Sequence, residues 1–282
     1  FFTVVGFRKP HLPFAAPKKY WDLYEYEDVS LQGISNAPID GDSIVYQWSE
    51  LSSYDKFFEY YVSNNYRNRS VKSNDAKELI HGYLASVSYI DELVGRLINK
   101  LEELHLHKNT IIVFMSDHGF HLGEQQIWGK HSSYEMSTHV PLIIFDPSES
   151  SKGVKCNNFV ELIDIYPTLI DLNGLKKNTS LSGNSLSNFF DNDVNKFSGS
   201  AFSQYQSFQK DESFNNYMAY AIYTEDFNYI EWQDLSKQRT IVQRELYDVS
   251  KNRSEIINIS AEPGYSKIQE ELSREIRLNF GF

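Results

Sequence analysis

From Asp75 to Leu104 apolar residues recur at alternating spacings of three and four: Ile80, Tyr83, Val87, Ile90, Val94, Leu97, Leu101 and Leu104. That spacing puts them on one face of a helix, and Asp75 with Glu78 supplies an N-terminal cap signature. A helix of about 30 residues extends about 45 Å, enough to cross the face of a large sheet. The turn His107-Lys108-Asn109 then leads into Thr110-Ile111-Ile112-Val113-Phe114-Met115, a β-branched run of the kind buried on both faces. The same stripe could support a coiled coil, but a helix running straight into a strand packs on a sheet. Val140 to Phe145 reads as a second such strand. Asp164 opens another helix, with Pro167 in its first turn and Gly174 at its end. The fold class is therefore α/β, with a mostly parallel or mixed central sheet flanked by helices.

The rest of the chain is arranged around that core. Phe1 to Gly6 reads as a buried strand, and residues 10–72 carry Pro, Gly, Tyr and Asn without periodicity. No catalytic group is expected in that stretch beyond its first few residues. After Gly174 the composition turns to Ser, Asn, Lys and Asp, which predicts a boundary. The large α/β domain then covers 1–180, and a small α+β subdomain covers 181–282. The latter holds antiparallel strands within 217–232 and 239–249 and a final helix over 266–277.

Charge and composition exclude several function classes. Thirty-eight acidic against 27 basic residues give a net charge of −11, which disfavours nucleic-acid binding through phosphates. No apolar run approaches the roughly 20 residues of a membrane span. The single Cys156 excludes an internal disulfide and a cysteine-based zinc site, and is expected to be at least half-buried. Sequons at Asn68, Asn178, Asn252 and Asn258 are candidate glycan acceptors if the chain enters the secretory pathway. The chain begins at Phe1 with no basic leader, and reads as part of something longer.

In open α/β sheets ligands bind beyond the carboxyl ends of the strands, so the residues after Met115 carry the first functional signal. They are Ser116-Asp117-His118-Gly119. Asp offers a hard oxygen, His a nitrogen, and Gly a close turn, which suits a metal-binding edge. Ordinary strand-end loop chemistry gives the same tetrapeptide. A lone His between prolines, as in Pro10-His11-Leu12-Pro13, is usually a rigid-turn residue, and Lys130 alone reads as a surface lysine. His121, His131 and His139 fit supporting or packing roles, and Trp128 fits a core.

Taken in order, Ser116 to Gly119, Leu122-Gly123-Glu124, Trp128-Gly129-Lys130-His131 and Val140-Pro141-Leu142 resemble the sulfatase family of the alkaline-phosphatase superfamily. So do Lys9-Pro10-His11-Leu12-Pro13-Phe14, Asp164-Ile165-Tyr166-Pro167-Thr168-Leu169 and Glu245-Leu246-Tyr247-Asp248. The resemblance spans nearly the whole chain. It implies hydrolysis of a sulfate monoester, with Asp117 and His118 ligating a divalent cation expected to be Ca2+, and His11 and Lys130 contacting the sulfate. It also implies a formylglycine nucleophile made from Cys in Cys-x-Pro-x-Arg. Cys156 sits in Lys155-Cys156-Asn157-Asn158-Phe159, without the Pro or the Arg, and the family's two N-terminal metal aspartates have no counterpart. The chain is thus expected to be a C-terminal part whose partner is the missing N-terminal segment of the same protein, and to be inactive alone. The implied substrate is a sulfated glycosaminoglycan, through the 2-O-sulfate of iduronate in heparan or dermatan sulfate, and the implied location is lysosomal or secreted. Two alternatives stand beside it. One is a phosphoester hydrolase of the same superfamily. The other is a non-catalytic relative that binds sulfated glycans through Arg8, Lys9, His11, Lys18 and Lys19.

Overall fold

The computed structural model describes residues 1–41, 44–46, 50–54, 71–148, 153–176, 178–190, 199–207 and 216–282. In chain order the regular elements among them are α1 (Lys18–Trp21), α2 (Ser73–Glu103), β1 (Ile112–Met115), β2 (His121–Leu122), β3 (Trp128–Gly129), α3 (Glu135–Thr138), β4 (Leu142–Phe145), α4 (Ile165–Leu172), β5 (Ser200–Gln206), β6 (Tyr217–Thr224), β7 (Phe227–Asp234), β8 (Thr240–Asp248) and α5 (Ser266–Phe280). They gather into two compact units assembled from separated stretches. Residues 1–37, 48–109 and 120–130 form the first, and 38–47, 110–119 and 131–282 the second.

The first unit is organised by α2, whose 31 residues match the predicted length. Its buried positions are Ala76, Leu79, Gly82, Ala85 and Ser86, all in its first half. The predicted stripe lies one step round the helix, and Val87, Leu97 and Leu104 on it are exposed. The cause is what packs there: small side chains let Phe14 and Trp21 come against Gly82. Aromatic rings then clasp the flanks, Phe14 with Tyr83 at 5.5 Å and Tyr20 with Tyr89 at 5.1 Å. Leu12, Leu51, Ala76, Leu79 and Trp128 form the core of this unit. Each such leucine contributes roughly 1.5 to 3 kcal/mol through burial. The strand predicted for Phe1 to Gly6 is absent, for no ladder pairs these residues and Phe1, Phe2 and Val4 are exposed.

Strands β2 and β3 make a small hairpin, with Leu122 opposite Trp128. Its turn depends on Gly123, which has φ +110° and would bring a Cβ to 2.7 Å from Ile34 Cγ1.

In the second unit β1 and β4 pair antiparallel, Ile112 opposite Phe145 and Met115 opposite Leu142. The sequence suggested parallel neighbours buried on both faces. Instead Phe114, Met115 and Ile143 are exposed. The connection explains the direction. Residues 116–141 hold the hairpin, a 3-10 turn at Glu124–Gln126 and the four-residue α3, and no crossover helix that would carry the chain back to run parallel.

The antiparallel sheet predicted near the C-terminus is present as β5-β6-β7-β8, with β5 as a strand the sequence reading did not contain. On one face Tyr220, Ile222, Tyr229 and Leu246 pack under Leu272 and Ile276 of α5. On the other, Glu245 accepts hydrogen bonds from Tyr134, Tyr247 and Trp232, while Glu255 accepts from Asn228 Nδ2 and from the Glu135 backbone. The boundary expected at residue 180 falls inside this unit. Asp164 Oδ1 accepts from Asn184 N–H at 2.7 Å, Thr168 Oγ1 from Leu186 N–H at 2.8 Å, and Glu161 Oε1 from Phe202 N–H at 2.8 Å.

Candidate functional site

In the first unit three buried anchors place three polar groups. Leu12, Leu51 and Trp128 share one apolar cluster, so their chain neighbours His11, Glu50 and Lys130 emerge beside one another. Lys130 Nζ lies 3.0 Å from Glu50 Oε1, and His11 Nε2 lies 3.6 Å from the same oxygen. Lys130 and Glu50 are largely buried, with side chains 18% and 20% exposed. His11 Nδ1 sits 2.6 Å from the Leu12 carbonyl, which can only accept, so Nδ1 carries a proton and Nε2 is the atom left to exchange one. The turn is closed by His11 N–H donating to Arg8 O at 3.0 Å and by Lys9 Nζ donating to His11 O at 3.0 Å. Partial burial, with Arg8 nearby, holds the Lys9 ammonium below its usual range.

His11 and Lys130, far apart in sequence, are thus brought together. Glu50 escaped the sequence reading because its surroundings have no periodicity. The burial of Leu51, at 1% exposure, fixes its position.

In the second unit Asp117 and His118 follow the end of β1. Ser116 N–H donates to Pro141 O, which continues the β1–β4 ladder, and Ser116 Oγ donates to His118 O at 2.8 Å. Gly119 N–H donates to Ser137 O at 2.8 Å. A Cβ on Gly119 would stand 2.0 Å from the Met136 carbonyl, so no other residue fits that approach. His118 Nδ1 is 2.8 Å from Gly119 O, and its Nε2 is 3.6 Å from Asp117 Oδ2. The Asp117 carboxylate is 81% exposed.

One open carboxylate is the right donor for a hard cation, but such ions take roughly six to eight oxygens. Among the described residues no three His, Cys, Asp or Glu side chains gather into a metal site. Asp117 fits as one ligand of a shared set. His118, tied to Gly119 O, offers Nε2 beside it.

The other candidates separate clearly. His121 is fully buried in the hairpin, where desolvation lowers its pKa to about 4, and its role is packing. His139 pairs with Glu135 Oε1 at 3.1 Å, and the His131 ring lies 5.9 Å from that of Tyr205. Trp128 is core, as expected. Cys156 is exposed rather than half-buried, with its thiol donating to Asn158 Oδ1. Asn178 and Asn252 are exposed. Asn258 is not: its amide donates to Asp40 O and Arg244 O and accepts from Leu246 and Ser260, which leaves no nitrogen for a glycan. Asn68 lies outside the described residues. No helix among the described residues is long and apolar enough to cross a membrane.

This architecture is that of alkaline-phosphatase-like hydrolases. A phosphonate monoester hydrolase from Silicibacter pomeroyi superposes with a TM-score of 0.74 over 95% of this chain and 54% of its own, at 24% identity. A solved enzyme in complex with its substrate D-glucosamine-2-N,6-O-disulfate superposes with a TM-score of 0.62 over 82% of this chain and 46% of its own, at 29% identity. The sulfatase profile matches residues 1–175, and the profile for the C-terminal part of N-sulphoglucosamine sulphohydrolase matches residues 123–279. The chain belongs to the sulfatase family. Iduronate 2-sulfatase from Homo sapiens is 33% identical over 201 residues, 62% of this chain and 36% of that protein. N-acetylglucosamine-6-O-sulfatase from Bacteroides thetaiotaomicron is 30% identical over 78% of this chain and 39% of its own length. Arylsulfatase K from Rattus norvegicus is 29% identical over 98% of this chain and 48% of its own length. The chain therefore spans between about a third and a half of these curated relatives.

Proposed function

We propose that this chain carries the sulfate-binding and leaving-group residues of a sulfuric ester hydrolase acting on a sulfated sugar, the 2-O-sulfate of iduronate in heparan or dermatan sulfate. The observation that carries the reading is the meeting of His11 and Lys130 on one oxygen in a largely buried position. The 33% identity to an iduronate 2-sulfatase supports the choice of sugar.

Each residue then has a task. The Lys130 ammonium binds sulfate oxygens as a point charge in a partly dehydrated site. His11 presents Nε2–H to the bridging oxygen. As the S–O bond breaks and its electron pair passes to the sugar oxygen, that proton follows. The Nδ1–H bond to Leu12 O holds the ring in the orientation this transfer needs. Asp117 would ligate the divalent cation, expected to be calcium, with His118 alongside, and the bound cation supplies charge neutralisation. The formylglycine nucleophile would come from another segment of the same protein, because Cys156 lacks the Pro and Arg of its motif. We infer that the chain alone hydrolyses no sulfate.

The phosphoester reading draws on the fold likeness to a phosphonate monoester hydrolase. The glycan-binding reading is weakened by two of its cations already being paired, Lys18 with Asp22 and Lys19 with Glu92. A lysosomal location, or a secreted one, belongs to the same reading and is supported by the likeness to iduronate 2-sulfatases.

The test is kinetic. In the protein that carries the whole active site, Lys130→Ala should lower turnover of a 2-O-sulfated disaccharide about a hundredfold, the effect of losing one preorganised contact of roughly 3 kcal/mol. Because Lys130→Ala also takes the ammonium from the largely buried Glu50 carboxylate, it should lower stability by about 3 kcal/mol, whereas Lys267→Ala, at 90% exposure, should be silent in both assays. Near-wild-type turnover for Lys130→Ala removes the assignment. An aryl phosphonate turned over faster than an aryl sulfate would favour the phosphoester reading.

A further inference from the structure

The Glu50 carboxylate stands where a substrate oxygen would have to stand to meet His11 and Lys130 together. Its Oε1 is the common point of both contacts, at 3.6 Å and 3.0 Å. We infer that Glu50 is a built-in competitor for the sulfate, an affinity-setting residue of this site that holds His11 and Lys130 between turnovers and swings aside when the anion enters. The inference rests on the reading of His11 and Lys130 as the sulfate-contacting pair.

The geometry allows that movement. Glu50 is the first residue of a short 3-10 turn, Glu50–Ser53, whose anchor is the buried Leu51. The backbone therefore stays fixed while the side chain, 20% exposed, rotates toward solvent. Electrostatics requires it. A carboxylate and a sulfate oxygen cannot share one contact point, and like charges at about 4 Å repel strongly in a partly dehydrated site. Other charges near the loop do not relieve the conflict. Arg8 and Lys9 lie on the far side of His11 in sequence, and Lys9 Nζ is committed to the carbonyls of His11 and Pro13. The consequence is a site tuned for release, because the same carboxylate that weakens binding of an incoming ester speeds the departure of the product anion.

The experiment uses the chain as it stands and inorganic sulfate as the probe. Binding is followed by the ring-nitrogen resonances of His11 and the side-chain carboxyl carbon resonance of Glu50. Glu50→Gln keeps the shape and removes the charge, and should tighten sulfate binding about tenfold, while Asp22→Asn, a carboxylate paired elsewhere with Lys18, should leave it unchanged. Unchanged or weaker binding in Glu50→Gln overturns the inference, because a residue that only positions His11 and Lys130 would lose affinity when neutralised. If Glu50→Gln does not fold, the wild-type titration decides. The Glu50 carboxyl resonance must move in step with that of His11 as sulfate is added, and a stationary Glu50 resonance overturns the inference. Lys130→Ala separates this failure from that of the underlying reading. If Lys130→Ala weakens sulfate binding while Glu50→Gln has no effect, only the competitor role falls. If Lys130→Ala leaves sulfate binding unchanged, both fall.

Discussion

Asn252 and Asn258 stand in neighbouring sequons, yet their side chains have opposite fates. Asn252 is exposed, whereas Asn258 is 8% exposed and joins Asp40 to β8, donating to Asp40 O and Arg244 O and accepting from Leu246 N–H. When the chain is expressed through a secretory pathway, glycopeptide mapping should find sugar at Asn178 and Asn252 and none at Asn258. Replacing Asn258 by Ala takes the acceptor from the buried Leu246 N–H and the donor from Asp40 O and Arg244 O. The expected cost is about 2 to 4 kcal/mol, read as a lower midpoint in urea, whereas Asn252→Ala should be neutral. A sequon is a statement about three residues. Burial is decided by residues on the other side of the sheet, which is why this difference could not be read from the sequence.

Among the elements, the strand-end loop after β1 depends on a backbone approach that admits no side chain. Gly119→Ala must push back the Met136 carbonyl, 2.0 Å from the new Cβ, and with it α3. The expected loss is about 2 to 4 kcal/mol by thermal melting, together with weaker binding of the divalent cation proposed for Asp117, which is two residues away, in the protein carrying the whole site. Gly123→Ala, at φ +110°, should cost about 1 to 3 kcal/mol and displace Lys130 through the hairpin. The long helix, the C-terminal sheet and the final helix were legible because period and length are local signals. The buried face of α2 was not, because Gly82 and Ala85 carry almost no apolar signal of their own and are buried only by what Phe14 and Trp21 do. The direction of β4 was also hidden. Two apolar runs look the same whether they pair parallel or antiparallel, and only the route of residues 116–141 decides. Of the candidate site, His11, Lys130, Asp117 and His118 were legible through ordered motifs, while Glu50 had no motif to announce it.

For the molecule as a whole, two buried titratable groups set opposing pH limits on stability. Burial, with the Glu135 and Glu245 carboxylates nearby, pushes Glu255 from 4.5 up to about 8. The folded chain keeps a proton there that the unfolded chain releases, so this contribution is complete below pH 4.5 and falls as pH rises to about 8. His121 works the other way. Its pKa drops from 6.5 to about 4, so the unfolded chain takes a proton that the folded core refuses, and stability is lost as pH falls through that window. Each slope is about 1.4 kcal/mol per pH unit, so between pH 4.5 and 6.5 they offset, and above 6.5 only the Glu255 loss remains. The melting temperature should decline most clearly from about pH 6.5 toward pH 8, where His121 no longer counters the Glu255 loss, and Glu255→Gln should remove that decline. That offset requires the two groups, which belong to different units, to unfold in one transition. The chain passes from one unit to the other five times, at residues 37, 47, 109, 119 and 130. On the ribosome, then, the first unit cannot close until residue 130 has emerged, and residues 38–47 must wait for the β-sheet more than a hundred residues later. Neither unit can be obtained by truncation, and a single proteolytic nick at any crossing should leave both halves associated until the whole chain melts.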